Sequence, residues 1–148
     1  MVAAVTAEFQ EQIRENGHCL EVALSPDCPV ARGDREALGR ALWNLLDTAV
    51  KYAPDNPRIV VATARLGTQV VINVQDFGLG IEPAGQKEIF RKFVRGSNTR
   101  GRAIKGTGLG LALVDHIVRA HGGEIRMDSA PGRGSTFTIV LPGTLRNE

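Results

Sequence analysis

The glycine-rich segment at residues 106–111 offers the clearest chemistry in this sequence. It reads G-T-G-L-G-L and overlaps the start of a helix predicted over residues 109–120. Glycines at a helix N-terminus expose unpaired backbone N–H groups at the positive end of the helix dipole, which suits phosphate. The spacing fits neither the dinucleotide-binding fingerprint G-x-G-x-x-G nor the P-loop G-x-x-x-x-G-K-[ST]. A flexible loop with a glycine cap is the alternative interpretation.

A second glycine cluster, D-F-G-L-G at residues 76–80, directly follows an apolar segment. The carboxylate of Asp76 could accept a hydrogen bond from an exocyclic amine such as that of adenine. Gly78 and Gly80 would let the backbone come close to a flat ring. An ordinary glycine-rich turn, in which Asp76 bonds to local amides, is the alternative.

Asn44, Thr48 and Lys51 stand at positions i, i+4 and i+7 and therefore share one face of a helix predicted over residues 35–53. We expect this face to lie roughly opposite the leucine-rich face. Hard oxygen donors suit Mg²⁺, and lysine supplies a compact positive charge, so the three side chains could hold a metal-bound phosphate. A solvated polar face is the alternative.

A basic cluster lies between the two glycine segments and contains no acidic residue. Its members are Arg91, Lys92, Arg95, Arg100, Arg102 and Lys105. Residues 76–107 also lack clear periodicity apart from a short segment, E-I-F-R-K-F. A long segment of this kind is usually functional or mobile. We therefore expect a lid that closes over phosphate, with a solvated loop or a nucleic-acid patch as alternatives.

The elements that would position these residues alternate between strands and helices. An alternating pattern predicts a strand over residues 19–24, and two segments rich in β-branched residues, 58–64 and 69–75, predict a hairpin whose turn contains Gly67. Further strands are predicted over residues 124–129 and 135–141, on either side of a turn that ends at Gly134. Asp34 is the predicted N-cap of the first helix. This order favours an α+β fold, a two-layer α/β sandwich in which helices cover one face of a mixed, mostly antiparallel sheet. The length of 148 residues predicts a single domain over residues 1–148.

Composition narrows the functional classes. A formal net charge of +2 is too small to indicate a nucleic-acid partner. The chain has no apolar run approaching the ~20 residues that span a bilayer, so we expect a soluble, cytoplasmic fragment of a longer protein. Cys19 and Cys28 are expected to be reduced thiols, and a disulfide between them is the alternative.

Four segments, taken in order, resemble the N, G1, F and G2 boxes of bacterial sensor histidine kinases. They are N-L-L-D-T-A-V-K-Y at residues 44–52, D-F-G-L-G at 76–80, I-F-R-K-F at 89–93 and G-T-G-L-G-L at 106–111. These kinases belong to a superfamily that also includes DNA gyrase and the ninety-kilodalton heat-shock chaperone. The similarity runs from about residue 5 to residue 142. It implies a C-terminal catalytic domain that binds ATP and Mg²⁺ beneath a mobile lid at about residues 81–106.

The resemblance also implies roles for individual residues. Asp76 resembles the carboxylate that recognises adenine, supported by Thr136 through a water, while Tyr52 would pack near the base or the ribose. Asn44 stands where the hydrolysing relatives have a catalytic glutamate. An amide cannot serve as the general base for water, which favours a kinase.

Further roles concern the phosphates and the metal. Asn44 and Thr48 would be Mg²⁺ ligands, and Asn44, Lys51 and Arg95 would support transfer. The remaining nucleotide contacts would come from backbone amides and from the lid, at Gly78, Gly80, Gly106, Gly108, Leu109, Gly110 and Arg100. Thr48 departs from the family pattern, which has a second asparagine at this position. Phe77 is a milder departure, because relatives commonly have a small polar residue there. These departures leave open a weakened enzyme or a nucleotide-dependent interaction module.

The partners implied are a histidine-containing dimerisation domain of the parent kinase and a downstream response regulator. A homodimeric parent, anchored in the inner membrane or not, is compatible with the sequence, and no nucleic acid or direct membrane contact is expected. His18, His116 and His121 do not stand in a phosphoacceptor motif, and His121 is expected to cap a helix C-terminus. A serine kinase of the anti-sigma type is a further alternative within the superfamily.

Overall fold

The structure is a computed structural model that describes residues 2–14, 17–27, 29–53, 57–78 and 107–144. Within these ranges three helices occur, which are α1 (Val2–Arg14), α2 (Arg35–Tyr52) and α3 (Thr107–Ala120). The strands are β1 (Cys19–Ala23), β2 (Val30–Ala31), β3 (Arg58–Leu66), β4 (Gln69–Asp76), β5 (Glu124–Ala130), β6 (Gly134–Leu141) and β7 (Gly143–Thr144).

Five of the strands form one sheet in the order β1-β3-β4-β6-β5. The pair β1–β3 is parallel and the other neighbours are antiparallel. Helices α2 and α3 pack against one face of this sheet and against each other. The predicted α+β sandwich with a mixed, mostly antiparallel sheet is therefore confirmed.

Helix α2 is the central element of the core. It begins after Asp34, whose side chain accepts hydrogen bonds from the amides of Glu36 and Ala37, so the predicted N-cap is confirmed. It ends at Tyr52, one residue earlier than predicted. Its fully buried apolar face consists of Ala41, Leu42, Leu45, Leu46 and Ala49.

The hairpin β3–β4 carries the centre of the sheet. Its turn contains Gly67 with a φ of 65°, as the sequence predicts, and both strands extend beyond their predicted ends. Val70, Ile72, Val74 and Asp76 alternate along β4 and are all buried on the face that the helices cover. Asp76 is thus the last residue of a strand rather than the first residue after it.

Helix α3 begins at Thr107, two residues before the predicted start. At its other end the amides of Gly122 and Gly123 donate to the carbonyls of Arg119 and Val118, and Gly122 has a φ of 78°. This pattern is a Schellman motif, which needs a residue in the left-handed region. The H-G-G sequence therefore ends the helix as expected.

His121 caps the end of α3 and also links it to α2. Its Nδ1 lies 2.8 Å from the carbonyl oxygen of Ile117, and its Nε2 lies 3.1 Å from the amide of Asp34. Because a carbonyl only accepts and an amide only donates, the ring is the neutral tautomer with its proton on Nδ1. The end of α3 is therefore fixed beside the start of α2.

Helix α1 and the short ladder β2–β7 were not predicted from the sequence. Phe9 of α1 is 1% exposed and packs edge-on against Trp43 of α2, with ring centroids 4.8 Å apart. A helix with few buried residues, Thr6, Phe9 and Ile13, depends on such tertiary contacts more than on its own periodicity. Strands of two residues carry no periodicity at all.

The structure bears on two expectations from the sequence, which concern membrane spans and the two cysteines. None of the helices in these ranges is long and apolar enough to cross a membrane. Cys19 is an exposed thiol at the start of β1, and Cys28 lies outside the described residues.

We predict that His121→Ala lowers the free energy of unfolding by about 1–2 kcal/mol, because it removes the partner of the Ile117 carbonyl and of the Asp34 amide. Urea denaturation measures this loss. His116→Ala is the matched control, since His116 lies exposed on the same helix. Equal stability of the two variants would contradict the proposed link between α3 and α2.

Candidate functional site

Asp76 is completely buried at the end of the central strand β4, with 0% relative exposure. Its Oδ1 accepts a hydrogen bond of 2.9 Å from the backbone amide of Gly78. Within the described part of the chain, no group donates to its Oδ2. A buried carboxylate oxygen without a donor is costly unless a ligand supplies one. Oδ2 is therefore a candidate acceptor for an N–H group of a ligand.

The buried position also changes the acidity of this carboxyl. Burial raises the pKa of Asp76 above the ordinary value of an aspartate, and the backbone amides of Gly78 and Ser135 act in the opposite direction. The carboxyl is consequently protonated at a higher pH than an exposed aspartate would be. Protonation would turn an acceptor into a donor, so acceptance of a hydrogen bond at this site depends on pH.

Ser135, and not Thr136, lies directly across the sheet from Asp76. The register pairs Asp76 with Ser135 and Gln75 with Thr136. Because side chains alternate along a strand, Ser135 shares the buried face with Asp76, whereas Thr136 lies on the opposite face. The hydroxyl of Ser135 is buried and lies 2.8 Å from the hydroxyl of Ser129. The expectation that Thr136 supports Asp76 does not fit this register. The hydroxyl residue beside Asp76 is Ser135, one position earlier.

Gly134 brings the start of β6 against the end of β4. It has a φ of +82°, and a Cβ at this position would overlap the carbonyl oxygen of Asp76 and lie 2.8 Å from Cα of Phe77. Only glycine combines this backbone conformation with such a close approach. Sequence reasoning placed Gly134 in a turn but missed its contact with Asp76, because the contact depends on the register between two distant strands.

Asn44 and Lys51 occupy the accessible side of α2. The amide of Asn44 donates from Nδ2 to the carbonyl of Arg40 at 3.0 Å, which orients Oδ1 away from that carbonyl. Nζ of Lys51 lies 3.2 Å from a carboxylate oxygen of Asp47, and the lysine side chain is 42% exposed. An exposed pair of this kind is weak, so an anionic ligand could attract the lysine away from it.

Thr48 is buried, with 2% relative exposure, and its hydroxyl donates to the carbonyl of Asn44 at 2.9 Å. The expectation that it lies on a polar face opposite the leucines is wrong. Helix α2 packs against α1, α3 and the sheet, so its buried arc is wider than the leucine positions indicate. Within the described ranges, no group of three or more His, Cys, Asp or Glu side chains could hold a metal ion. A metal here would need oxygen donors of the type found in Asn44 and Thr48.

Two of the predicted phosphate-binding glycines, Gly108 and Gly110, belong to the first turn of α3. The helix begins at Thr107, so the backbone amides of Thr107, Gly108 and Leu109 have no acceptor inside the helix. This turn contains no acidic residue that would repel an anion. The start of α3 therefore presents the partial positive charge of the helix dipole.

The start of α3 lies alongside the second half of α2. His121 joins the end of α3 to the start of α2, and the two helices pack on each other, so they run in opposite directions. A helix of 14 residues reaches back about 21 Å. In an antiparallel pair, this length reaches the second half of α2, which contains Thr48.

Asp76 lies at the same end of the fold as the end of α2. Nε2 of His18 donates to the carbonyl of Ala53, the C-cap of α2, at 3.0 Å. His18 directly precedes β1, in which Leu20 pairs with Ile59, and Ile59 pairs in turn with Asp76. The second half of α2, the first turn of α3 and the carboxylate of Asp76 thus approach one end of the sheet.

The structure does not place several of the predicted site residues. Gly80, Arg95, Arg100, Gly106 and the expected lid at residues 81–106 lie outside the described residues. Tyr52 is the last residue of α2, and its side chain is likewise outside the description. Gly78 lies beside Asp76 as predicted and donates its amide to that carboxylate.

The arrangement brings together a buried hydrogen-bond acceptor, a helix N-terminus and a lysine. The acceptor suits an amino group on a flat base, while the helix terminus and the lysine suit phosphate. A ligand that carries both kinds of group at its two ends is a nucleotide.

Comparison with known sequences agrees with this chemistry. Residues 33–145 match the family described as histidine kinase-, DNA gyrase B-, and HSP90-like ATPase. The sensor-like histidine kinase SenX3 of Mycobacterium tuberculosis is 43% identical over 113 residues, which cover 76% of this chain and 28% of the relative. The adaptive-response sensory kinase SasA of Thermosynechococcus vestitus is 44% identical over 117 residues, covering 78% and 30%. The chain thus spans less than a third of the length of these relatives.

Comparison with known structures gives the same result. The mycobacterial sensor histidine kinase MprB superimposes with a TM-score of 0.77 at 31% identity, over 99% of this chain and 96% of that one. Full-length ShkA in complex with AMPPNP superimposes with a TM-score of 0.80 at 26% identity, over 99% of this chain and 30% of that one. The chain therefore belongs to the histidine kinase-, DNA gyrase B- and HSP90-like ATPase family, and within it to the catalytic domains of sensor histidine kinases.

Proposed function

We propose that this chain binds ATP with Mg²⁺ between Asp76, the second half of α2 and the start of α3, and presents the γ-phosphate to a histidine of a separate dimerisation domain. The observation that carries the proposal is the buried Oδ2 of Asp76, which lacks a donor within the described ranges. The family supports it, and so does the similar ShkA structure, which contains AMPPNP.

The base would be recognised at the end of β4. The exocyclic amine of adenine carries the N–H donor that Oδ2 of Asp76 needs, whereas the carbonyl that guanine has at the equivalent position would face the carboxylate with another acceptor. Ser135 lies on the same buried face and could join the contact through a water. Gly78 and Gly80 would admit the ring close to the backbone, and Tyr52 would pack against the base or the ribose.

The phosphates would extend toward the start of α3. The amides of Gly106, Gly108, Leu109 and Gly110 would donate to phosphate oxygens at the positive end of the helix. Lys51 would exchange its exposed pair with Asp47 for the phosphate chain. Arg95 and Arg100 would reach the phosphates from a lid at about residues 81–106.

Asn44 and Thr48 would hold the metal, with Oδ1 of Asn44 as the more accessible oxygen. Mg²⁺, when bound, neutralises charge on the transferring phosphoryl group. Because Asn44 carries an amide and not a carboxylate, it cannot remove a proton from water. Transfer to a histidine, in which a P–N bond forms as the P–O bond to ADP breaks, fits this site better than hydrolysis.

The wider context follows from the short share of the relatives that this chain covers. We propose that residues 1–148 form one catalytic domain of a longer, homodimeric kinase that signals to a response regulator. A cytoplasmic position fits this role, whether or not the parent is anchored in a membrane. We expect no nucleic-acid partner.

The burial of Thr48 favours a second candidate, a nucleotide-dependent interaction module with weak or no transfer activity. Its hydroxyl is 2% exposed and already bonded to the carbonyl of Asn44. An oxygen in that position reaches a shared metal less easily than the longer amide of an asparagine. Nucleotide binding could then persist while transfer is slow.

Asp76→Asn tests the proposed function directly. We expect ATP affinity to fall about tenfold to a hundredfold, because a charge-assisted hydrogen bond in a buried site is lost. Calorimetric titration with ATP measures the affinity, and transfer of labelled phosphate to a supplied histidine-containing dimerisation domain measures the activity. Unchanged affinity or transfer in this variant would contradict the assignment of Asp76.

The pH dependence separates this loss from unfolding. The folded-state pKa of Asp76 is raised, so the ionised carboxylate destabilises the fold, and stability falls as the pH rises from the ordinary toward the raised pKa. Asp76→Asn should therefore melt no lower than the wild type at neutral pH. In the wild type, ATP affinity should weaken on acidification through the raised pKa, and the variant should lack this dependence.

Gly134→Ala should weaken ATP binding through the backbone of Asp76. Its matched control is Gly132→Ala, because Gly132 has a φ of +79° in the same turn but has nothing within 4 Å of an added Cβ. Both variants should lose about 1–2 kcal/mol of stability from the left-handed backbone. Gly134→Ala should lose more than Gly132→Ala, because its Cβ would overlap the carbonyl oxygen of Asp76. Only Gly134→Ala should raise the dissociation constant of ATP in a fluorescent-nucleotide titration. Equal dissociation constants would show that Gly134 does not shape the site.

Thr48→Asn tests the metal site and the second candidate function. We expect the variant to bind ATP several-fold more tightly in Mg²⁺ and equally in EDTA, because the amide oxygen reaches the metal more easily. Thr48→Val, which removes the hydroxyl at nearly constant shape, is the control. It should lower the ATP affinity measured in Mg²⁺ and leave the affinity measured in EDTA unchanged. If the wild type already transferred phosphate as fast as a sensor kinase domain with asparagine there, the second candidate would be rejected.

A further inference from the structure

Arg58 lies on the outer face of the sheet, behind the residues that form the candidate site. Its neighbour Ile59 pairs with Asp76 and faces the helices, so Arg58 points to the other side. The guanidinium carbon is 4.7 Å from the centroid of the Phe77 ring. On the same face, Nε and Nη2 of Arg58 donate to the two carboxylate oxygens of Glu21 at 2.8 and 3.2 Å.

Phe77 occupies the middle of the turn that holds the carboxylate of Asp76. Strand β4 ends at Asp76, and the turn is closed by the hydrogen bond from the amide of Gly78 to Oδ1 of Asp76. Asp76 anchors the turn on the buried face, and Phe77 reaches the opposite face, where Arg58 covers its ring. The turn is thus held from both faces of the sheet.

Glu21 orients the Arg58 guanidinium that contacts Phe77. Two parallel hydrogen bonds fix the plane of a guanidinium, so less side-chain freedom remains to be lost when the group stacks on a ring. The hydrogen bond from Arg58 also lowers the pKa of Glu21, which keeps the carboxylate ionised. Contacts among Glu21, Arg58 and Phe77 thus link β1 through β3 to the turn after β4.

We propose that Arg58 is a positioning residue for nucleotide binding, because its stacking on Phe77 holds the turn from Asp76 to Gly78 in the conformation that binds the base. This inference rests on the proposed function. The apparent affinity for a ligand is proportional to the fraction of molecules that adopt the binding conformation, so it falls when that fraction falls. A cation–π contact at an exposed site is small, so its loss should weaken binding about two- to fivefold and not abolish it.

The experiment compares two arginines on the same face of the sheet. Arg126 lies on the edge strand β5, and its Nε is 2.8 Å from Oε1 of Glu124. Its side chain is 59% exposed, against 53% for that of Arg58. Arg126 lies away from the turn and is the matched control. Arg58→Gln should raise the dissociation constant of ATP about two- to fivefold, Arg58→Lys should recover part of the loss, and Arg126→Gln should bind as the wild type does.

A second readout follows the turn itself without nucleotide. Hydrogen exchange of the Gly78 amide should be faster in Arg58→Gln and unchanged in Arg126→Gln. In a Phe77→Leu background, Arg58→Gln should have little further effect on either readout, because the ring on which it acts is gone.

The inference is overturned if Arg58→Gln leaves affinity and Gly78 exchange unchanged, if Arg126→Gln has the same effect, or if the effect persists undiminished in Phe77→Leu. A wild-type chain that bound no ATP would contradict the proposed function, and this inference with it. Wild-type binding that Arg58→Gln does not alter would reject the inference alone.

Discussion

The carboxylate of Asp76 is the group around which the rest of this site is organised. It is fully buried at the end of a central strand, with one oxygen bonded to Gly78 and the other without a donor in the described ranges. A fold that maximised its own stability would place an apolar residue there, as the positions of Val70, Ile72 and Val74 on the same strand illustrate. Retention of a carboxylate at the next alternate position is a local cost that a ligand can offset.

Two long-range constraints give this carboxylate its surroundings. Gly134 allows β6 to approach the backbone of Asp76 more closely than any residue with a Cβ would. His121 and Asp34 join the opposite ends of α3 and α2, which brings the first turn of α3 beside the second half of α2. Residues far from the proposed ligand therefore determine whether its two ends meet a carboxylate and a helix N-terminus at a suitable separation.

The sequence was sufficient where a signal is local and periodic. The leucines of α2, the β-branched residues of β4 and the glycines after α3 predicted those elements to within two residues, and the order of four motifs predicted the family. It failed where geometry depends on partners far along the chain. The choice between Thr136 and Ser135 is set by a cross-strand register, and a shift of one residue reverses the face. The burial of Thr48 likewise depends on which helices flank α2, which a single helical pattern cannot indicate.

The same distinction explains why the two ends of the proposed nucleotide would be held so differently. The base end would lie against a strand, a glycine contact and a buried carboxylate, where close packing resists small displacements. The phosphate end would meet a helix N-terminus and a lysine whose partner is an exposed aspartate, so its contacts would be electrostatic and adjustable. A rigid end that selects the base and an adjustable end that follows the phosphates are what transfer to a second domain requires, because the γ-phosphate must remain accessible while the nucleotide stays in place.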